Sequence, residues 1–165
     1  MSKLVKRSDK IAFMNTGSEE APVFTRMTKF TEISTSKNPT EYSRTYVDEE
    51  GETTDVTGYS EEKSYAFDQY TENPVHERIA EITDDELTGN DAIIEILVVD
   101  KSKPNADSTG FEARKRKYSV VPDSDGDSTD AYTYSGSLRA NGTFEKIEAT
   151  ISTDGKTATI VESAE

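Results

Sequence analysis

Three consecutive segments decide how this chain folds: Ser64-Tyr-Ala-Phe-Asp-Gln-Tyr70, the Asn73-Pro74 step with the residues it opens, and Ala92-Ile-Ile-Glu-Ile-Leu-Val-Val99. The first puts Tyr65 and Phe67 on one face and Asp68 on the other, the period of a half-buried strand. Asn73 suits a helix N-cap and Pro74 the first helical position, where its missing N–H costs nothing. Val75, Ile79, Ala80 and Ile82 then recur at helical spacing, with Leu87 at the end and Gly89 as the expected C-terminal stop. The apolar run from Ala92 to Val99 has strand length and reads as a central strand buried on both faces. The helix is expected to cover one of those faces.

Outward from this centre the chain reads as extended segments separated by turns. Lys10 to Met14 alternates, with Ile11 and Phe13 on one face, and residues 1–8 read as a flexible N-terminal arm. Phe24 to Ile33 is extended, Ser34 to Pro39 is a turn, and Tyr42 to Val47 alternates weakly before a polar, acidic loop at 47–60. After the central strand, Pro104 to Gly110 reads as a turn and Phe111 to Val121 as a long strand. Residues 121–130 read as a loop, and Ala131 to Arg139 as a cleanly alternating strand. Asn141-Gly142 is the strongest hairpin signal in the chain. It leads to a strand at 144–151, and Asp154-Gly155 turns that into a last strand at 157–161. These three strands are expected to form a meander. About eight strands and one helix predict a mainly β (α+β) chain. The expected architecture is an antiparallel β-sandwich or open barrel flanked by one α-helix, in a single domain over 1–165.

Composition limits the core. Leu, Ile, Val and Phe make up 30 of 165 residues and the net charge is −14, values that approach those of disordered chains. Twenty-one threonines, eight tyrosines and ten valines placed in alternation favour strands instead. A lean core leaves little to set against chain entropy, so association is expected to supply buried area. The absence of cysteine excludes a disulfide framework and a thiol nucleophile. The basic start is followed by Ser8-Asp-Lys where a signal peptide needs an apolar run. Strong acidity argues against a nucleic-acid reader, which neutralises phosphates with Lys and Arg.

Four constellations invite a functional reading. Asp123, Asp125, Asp127 and Asp130 surround Gly126 and are a candidate calcium set. However, the glycine falls too early for a calcium loop and Tyr134 stands where a bidentate Glu belongs. An acidic exposed turn is the simpler reading. Arg114, Lys115, Arg116 and Lys117 form a basic run, but in a strand they divide two and two between faces. That favours ion pairs with acids of the same or a neighbouring subunit over a phosphate patch. His76 lacks any nucleophile or partner at catalytic spacing, so no enzyme, cofactor or metal is expected. Asp84-Asp85-Glu86 opposes the helix dipole and hints at an interface partner.

Residues 42–58, 65–70 and 73–76, the basic run 114–117, and Val121-Pro-Asp-Ser-Asp-Gly-Asp127 together resemble the major tail (tail tube) proteins of long-tailed bacteriophages. The resemblance spans nearly the whole chain. It implies a structural subunit that self-assembles into stacked, hexameric rings forming a conduit for DNA ejection. Neighbouring sheets would join into an inner barrel, and DNA would pass through the lumen without specific binding. Six acidic copies would repel the phosphates. Tape measure and other tail proteins are the implied partners, and the implied location is the virion, after assembly in the host cytoplasm. The long loop, with Asp48, Glu49, Glu50, Gly51, Glu52, Asp55, Val56 and Tyr59, would bridge successive rings together with the N-terminal arm. Arg114, Lys115, Arg116 and Lys117 would make inter-subunit ion pairs. The alternative is a calcium-dependent β-sandwich adhesion or carbohydrate-binding module using the four aspartates, which the lack of tryptophan counts against.

Overall fold

The computed structural model describes residues 2–106 and 109–161. Among these, eleven strands and one α-helix follow in chain order: β1 (Lys10–Asn15), β2 (Phe24–Arg26), β3 (Phe30–Ser36), β4 (Pro39–Thr45), β5 (Glu52–Tyr59), β6 (Glu62–Asp68), α1 (Pro74–Asp84), β7 (Ile93–Pro104), β8 (Phe111–Asp125), β9 (Thr133–Ala140), β10 (Glu145–Ile151) and β11 (Thr157–Val161). Nine of the strands form one antiparallel sheet in the order β10-β11-β2-β1-β7-β8-β9-β6-β3. The pairing of β10 with β8 also closes β10-β11-β2-β1-β7-β8 into a six-stranded barrel. The anticipated barrel is thus closed rather than open. Strands β9, β6 and β3 continue from β8 as a wing outside it.

The long strand β8 makes both arrangements possible. Its first part, Phe111 to Lys115, pairs with β10, and its second, Tyr118 to Asp125, pairs with β9. Strands β9 and β10 therefore lie in tandem along the same side of β8 and run in the same direction. This overturns the expected hairpin at Asn141-Gly142 and the three-strand meander. With Gly142 in the left-handed region at φ 102°, and the Asn141 N–H bonded to the Lys117 carbonyl at 2.8 Å, the chain steps sideways from wing to barrel without reversing. The turn at Asp154-Gly155 does join the antiparallel pair β10–β11, with Gly155 at φ 74°.

Alternation divides the apolar residues between two cores. Ile11, Phe13, Phe24, Leu97, Val99, Ala113, Ala149 and Ala158, drawn from all six barrel strands, fill the barrel. The opposite faces of β1, β7 and β8 supply Met14, Ile94, Ile96, Tyr118 and Val120 to an outer core. There they meet Tyr65 and Phe67 of β6, Tyr134 and Leu138 of β9, and the apolar stripe of α1. The central strand is buried on both faces, as its sequence predicts. Gly136, opposite Tyr65, sits where a Cβ would come within 2.6 Å of the Val121 carbonyl oxygen, so the β8–β9 crossing leaves no room for a side chain.

The helix starts as predicted: Asn73 Oδ1 accepts from the Val75 and His76 N–H groups and Pro74 is the first helical residue. It ends at Asp84, well before Gly89. Leu87 N–H bonds to the Ile82 carbonyl, Glu86 N–H to that of Thr83, and Glu86 is left-handed at φ 51°. This is a Schellman closure, in which Leu87 packs back onto the outer core. Gly89 instead opens a 3-10 turn, Gly89–Ala92. In the turn predicted between Pro104 and Gly110, Asn105 N–H bonds to the Gly110 carbonyl at 2.9 Å, while residues 107–108 lie outside the described residues. Met1 of the predicted arm also lies outside them. The remainder of the arm is exposed, ending in a single 3-10 turn at Arg7–Asp9.

Candidate assembly interface

The acidic segment at 47–60 is not a loop. Strands β4 and β5 pair with each other from Pro39–Tyr59 to Thr45–Glu52 and with no other strand among the described residues, as a two-stranded ribbon. Nearly every residue of both arms is exposed. Solvent on both faces removes the selection for alternation that marks a half-buried strand, which is why the sequence reads as irregular. The paired arms extend for about 23 Å, at about 3.3 Å per residue over seven residues. Asp48, Glu49, Glu50 and Gly51 form the tip beside the exposed Tyr46 and Val47. Glu52, Asp55, Val56 and Tyr59 lie along β5, where Val56 and Tyr59 are exposed.

The ribbon continues the β3–β6 pair through a break at residues 37–38 and 60–61. Asn38 is left-handed at φ 46°, its side-chain amide donates to the Ser60 carbonyl at 3.0 Å, and Ser60 N–H donates to the Lys37 carbonyl at 3.1 Å. A buried charge cluster locks this break. The Glu61 carboxylate, 8% exposed, accepts from the Tyr118 hydroxyl at 2.7 Å and from Arg116, and lies 3.2 Å from Lys37 Nζ and 3.3 Å from Lys63 Nζ. Burial alone would raise the Glu61 pKa. The Tyr118 bond and the Lys63 and Lys37 charges outweigh it and hold the carboxyl at about 2. Burial pushes the Lys63 ammonium down, against the pull of Glu61. Sequence reading missed Glu61, Lys63, Lys37 and Tyr118, because partners at the root of the ribbon come from distant strands and leave no local pattern.

The basic run is spent within the chain. Arg114 pairs with Glu112 at 3.0 Å, Lys115 with Glu145 at 3.2 Å, Arg116 with Glu61, and Lys117 with Glu19 at 3.4 Å. These are pairs within the same chain, one of the two alternatives the sequence leaves open, with acids supplied by β8 itself (Glu112), by β10 (Glu145) and by connecting segments (Glu61 and Glu19). Arg114 and Arg116 also flank the half-exposed Phe144 ring. Asp125 accepts from the Tyr132 hydroxyl and Asp127 from Ser124 at 2.8 Å. Among the described residues no group of three or more acidic or histidine ligands is placed to hold a metal, Asp123 and Asp130 included. Asp84 is bonded by the Tyr134 hydroxyl at 3.0 Å, which ties the acidic helix end to β9. His76 is buried against Phe67, ring centroids 4.4 Å apart. Its Nδ1 accepts from Tyr70 N–H and its Nε2–H donates to the Thr28 carbonyl at 2.8 Å. Burial lowers its pKa in spite of that backbone bond. Its role is packing.

No helix among the described residues is long and apolar enough to cross a membrane. No protein-family model and no curated protein sequence matches the chain. Solved structures do match in shape. The SPP1 tail tube aligns with a TM-score of 0.66 at 12% identity, over 87% of this chain and 78% of that one. The tail of an empty gene transfer agent particle, refined with C6 symmetry, aligns with a TM-score of 0.57 at 14% identity, over 85% and 96%. The six-fold symmetrised baseplate of the anti-feeding prophage aligns with a TM-score of 0.50 at 11% identity, over 89% and 97%. A closed barrel with a strand wing and one helix is therefore the tail tube fold, as the sequence resemblance implies.

Proposed function

We propose that this chain is the structural subunit of a phage-type tail tube, a single domain that assembles with copies of itself into stacked rings. The observation that carries this reading is a ribbon that buries nothing in its own chain, projecting from a tail tube fold. Order without intramolecular burial calls for a partner to cover it. Six-fold symmetry in the gene transfer agent tail and the anti-feeding prophage baseplate supports hexameric rings here. The free edge of β3 offers a strand for lateral joining of sheets, which would remove an exposed edge. The ribbon and the N-terminal arm would reach axially. At −14 per copy, a ring would present DNA with a repelling field, consistent with a conduit for genome ejection. Tape measure and other tail proteins would be the further partners, in the virion.

The test is removal of the ribbon. Replacing residues 40–58 with an Asn-Gly turn joins Pro39 to its register partner Tyr59 and removes both arms together. Neither core contains a ribbon residue, so the thermal midpoint is expected to shift by only a few degrees. Electron microscopy of the concentrated intact chain should show tubes, and the shortened chain should show none. Tubes formed without the ribbon would overturn its assigned role.

A further inference from the structure

The charges that this acidic chain leaves without partners are unevenly placed. Lys3, Lys6, Arg7 and Lys10 put four bases against one acid, Asp9, in the first ten residues, and neither Arg7 nor Lys10 has an acid partner among the described residues. Asp100, opposite Lys10 in the β1–β7 register, is engaged by Ser102. Arg7 uses its guanidinium on the Lys10 and Ile33 carbonyls, which holds it over a groove between the barrel and the wing. Ala12, Ile33 and Val98 form the apolar floor of this groove and Arg7 and Lys10 its exposed cationic rim, with the buried, Glu61-paired Lys63 also in its lining, around a space of about 370 Å³. At the far end of the ribbon the pattern inverts: the exposed apolar Tyr46 and Val47 are followed by Asp48, Glu49, Glu50 and Glu52, none in an ion pair among the described residues.

We propose that this groove is the receptor for the ribbon tip of a second copy, with Val47 seated on the Ala12–Ile33–Val98 floor and the tip acids facing Arg7 and Lys10. The proposal rests on the reading of the ribbon as an axial contact. Thr35 and Lys63 of the groove lie beside the break at the ribbon root, while the tip stands about 23 Å away. A rigid ribbon therefore cannot fold back into its own groove. Tip and groove are different surfaces, so each copy offers one of each to the next, and a contact of that kind, directed along the ribbon as an axial contact, propagates as a stack wherever its rotation does not close a ring. The exposed charges govern encounter and register, and the contact weakens as salt rises.

Three variants test this: the groove reversal Arg7→Glu/Lys10→Glu, the tip reversal Glu49→Lys/Glu50→Lys, and all four changes in one chain. Each reversal should raise the protein concentration at which tubes appear by about tenfold or more, and the combined chain should recover assembly. All four positions are exposed, so circular dichroism and the thermal midpoint should stay near those of the parent. An independent measurement uses the absence of cysteine: in Lys10→Cys/Glu50→Cys, oxidation of the assembled protein should give a ladder of disulfide-linked multimers on a non-reducing gel. Tubes that survive groove reversal but not tip reversal overturn the groove and leave the ribbon's stacking role intact. Survival of both reversals overturns the tip–groove pairing, and the ribbon deletion then decides separately whether the ribbon stacks at all. A combined chain that fails to assemble, or no ladder, also overturns the pairing.

Discussion

At Glu61 one buried carboxylate gathers Lys37, Lys63 and Arg116 at the root of the ribbon. Removing its charge while keeping its shape, Glu61→Gln, leaves Lys63 buried among Lys37 and Arg116 without a counter-charge, which costs about 3 to 5 kcal/mol. The wild-type pH dependence follows from the same group. Its folded pKa of about 2 lies below the ordinary 4.5, so the folded state holds fewer protons, and this stabilisation is complete above 4.5 and lost as pH falls toward 2. His76 acts earlier in an acid titration. Its pKa is lowered from 6.5, so the unfolded chain takes up the proton first and stability declines as pH drops below 6.5. Urea midpoints measured from pH 7 to pH 2 should fall in two stages. Glu61→Gln should flatten the stage below 4.5 and His76→Gln the one starting at 6.5. An unchanged profile in either variant would contradict the assignment. Neither role was legible in the sequence, where Glu61 is one member of an acidic pair and His76 merely lies in a helical first turn.

Among the elements, legibility followed burial. The helix start, the central strand and the β10–β11 turn were readable because capping chemistry and one-sided burial leave local signatures. The ribbon was not, since both its faces meet solvent. The Asn141-Gly142 step does not reverse the chain because a type I′ turn needs both residues left-handed and here only Gly142 is, while β8 takes the strands on either side of the step as successive lateral partners. The helix stop was misplaced for a related reason: Glu86 occupies the left-handed C′ position that Gly usually fills. Glutamate pays a conformational penalty there, and it adds a negative charge at the negative end of the helix. Glu86→Gly is therefore expected to stabilise the chain by about 0.5 to 1 kcal/mol, read as a higher urea midpoint at unchanged slope. A destabilised variant would mean that Glu86 makes a compensating interaction.

For the molecule as a whole, two small cores share three strands. Strand β7 sends Leu97 and Val99 into the barrel and Ile94 and Ile96 to the outer core, and β1 and β8 divide in the same way. A strand cannot leave one core while remaining in the other, so barrel and wing should unfold as one unit in spite of their separate apolar clusters. This sharing also explains how so few large apolar residues suffice, because both faces of the central strands are used. Phe13→Ala in the barrel and Phe67→Ala in the outer core, each at a fully buried site, should each cost about 3 to 5 kcal/mol. That is a large part of the about 5 to 15 kcal/mol that holds a typical domain together. Urea unfolding followed both by circular dichroism and by tyrosine fluorescence should give coincident single transitions in the parent and in both variants. If Phe67→Ala instead lowered the midpoint of only one probe, the wing would be an independent unit. The ribbon would then hang from a part of the molecule that can open without the barrel, and its direction would no longer be fixed by the rest of the fold.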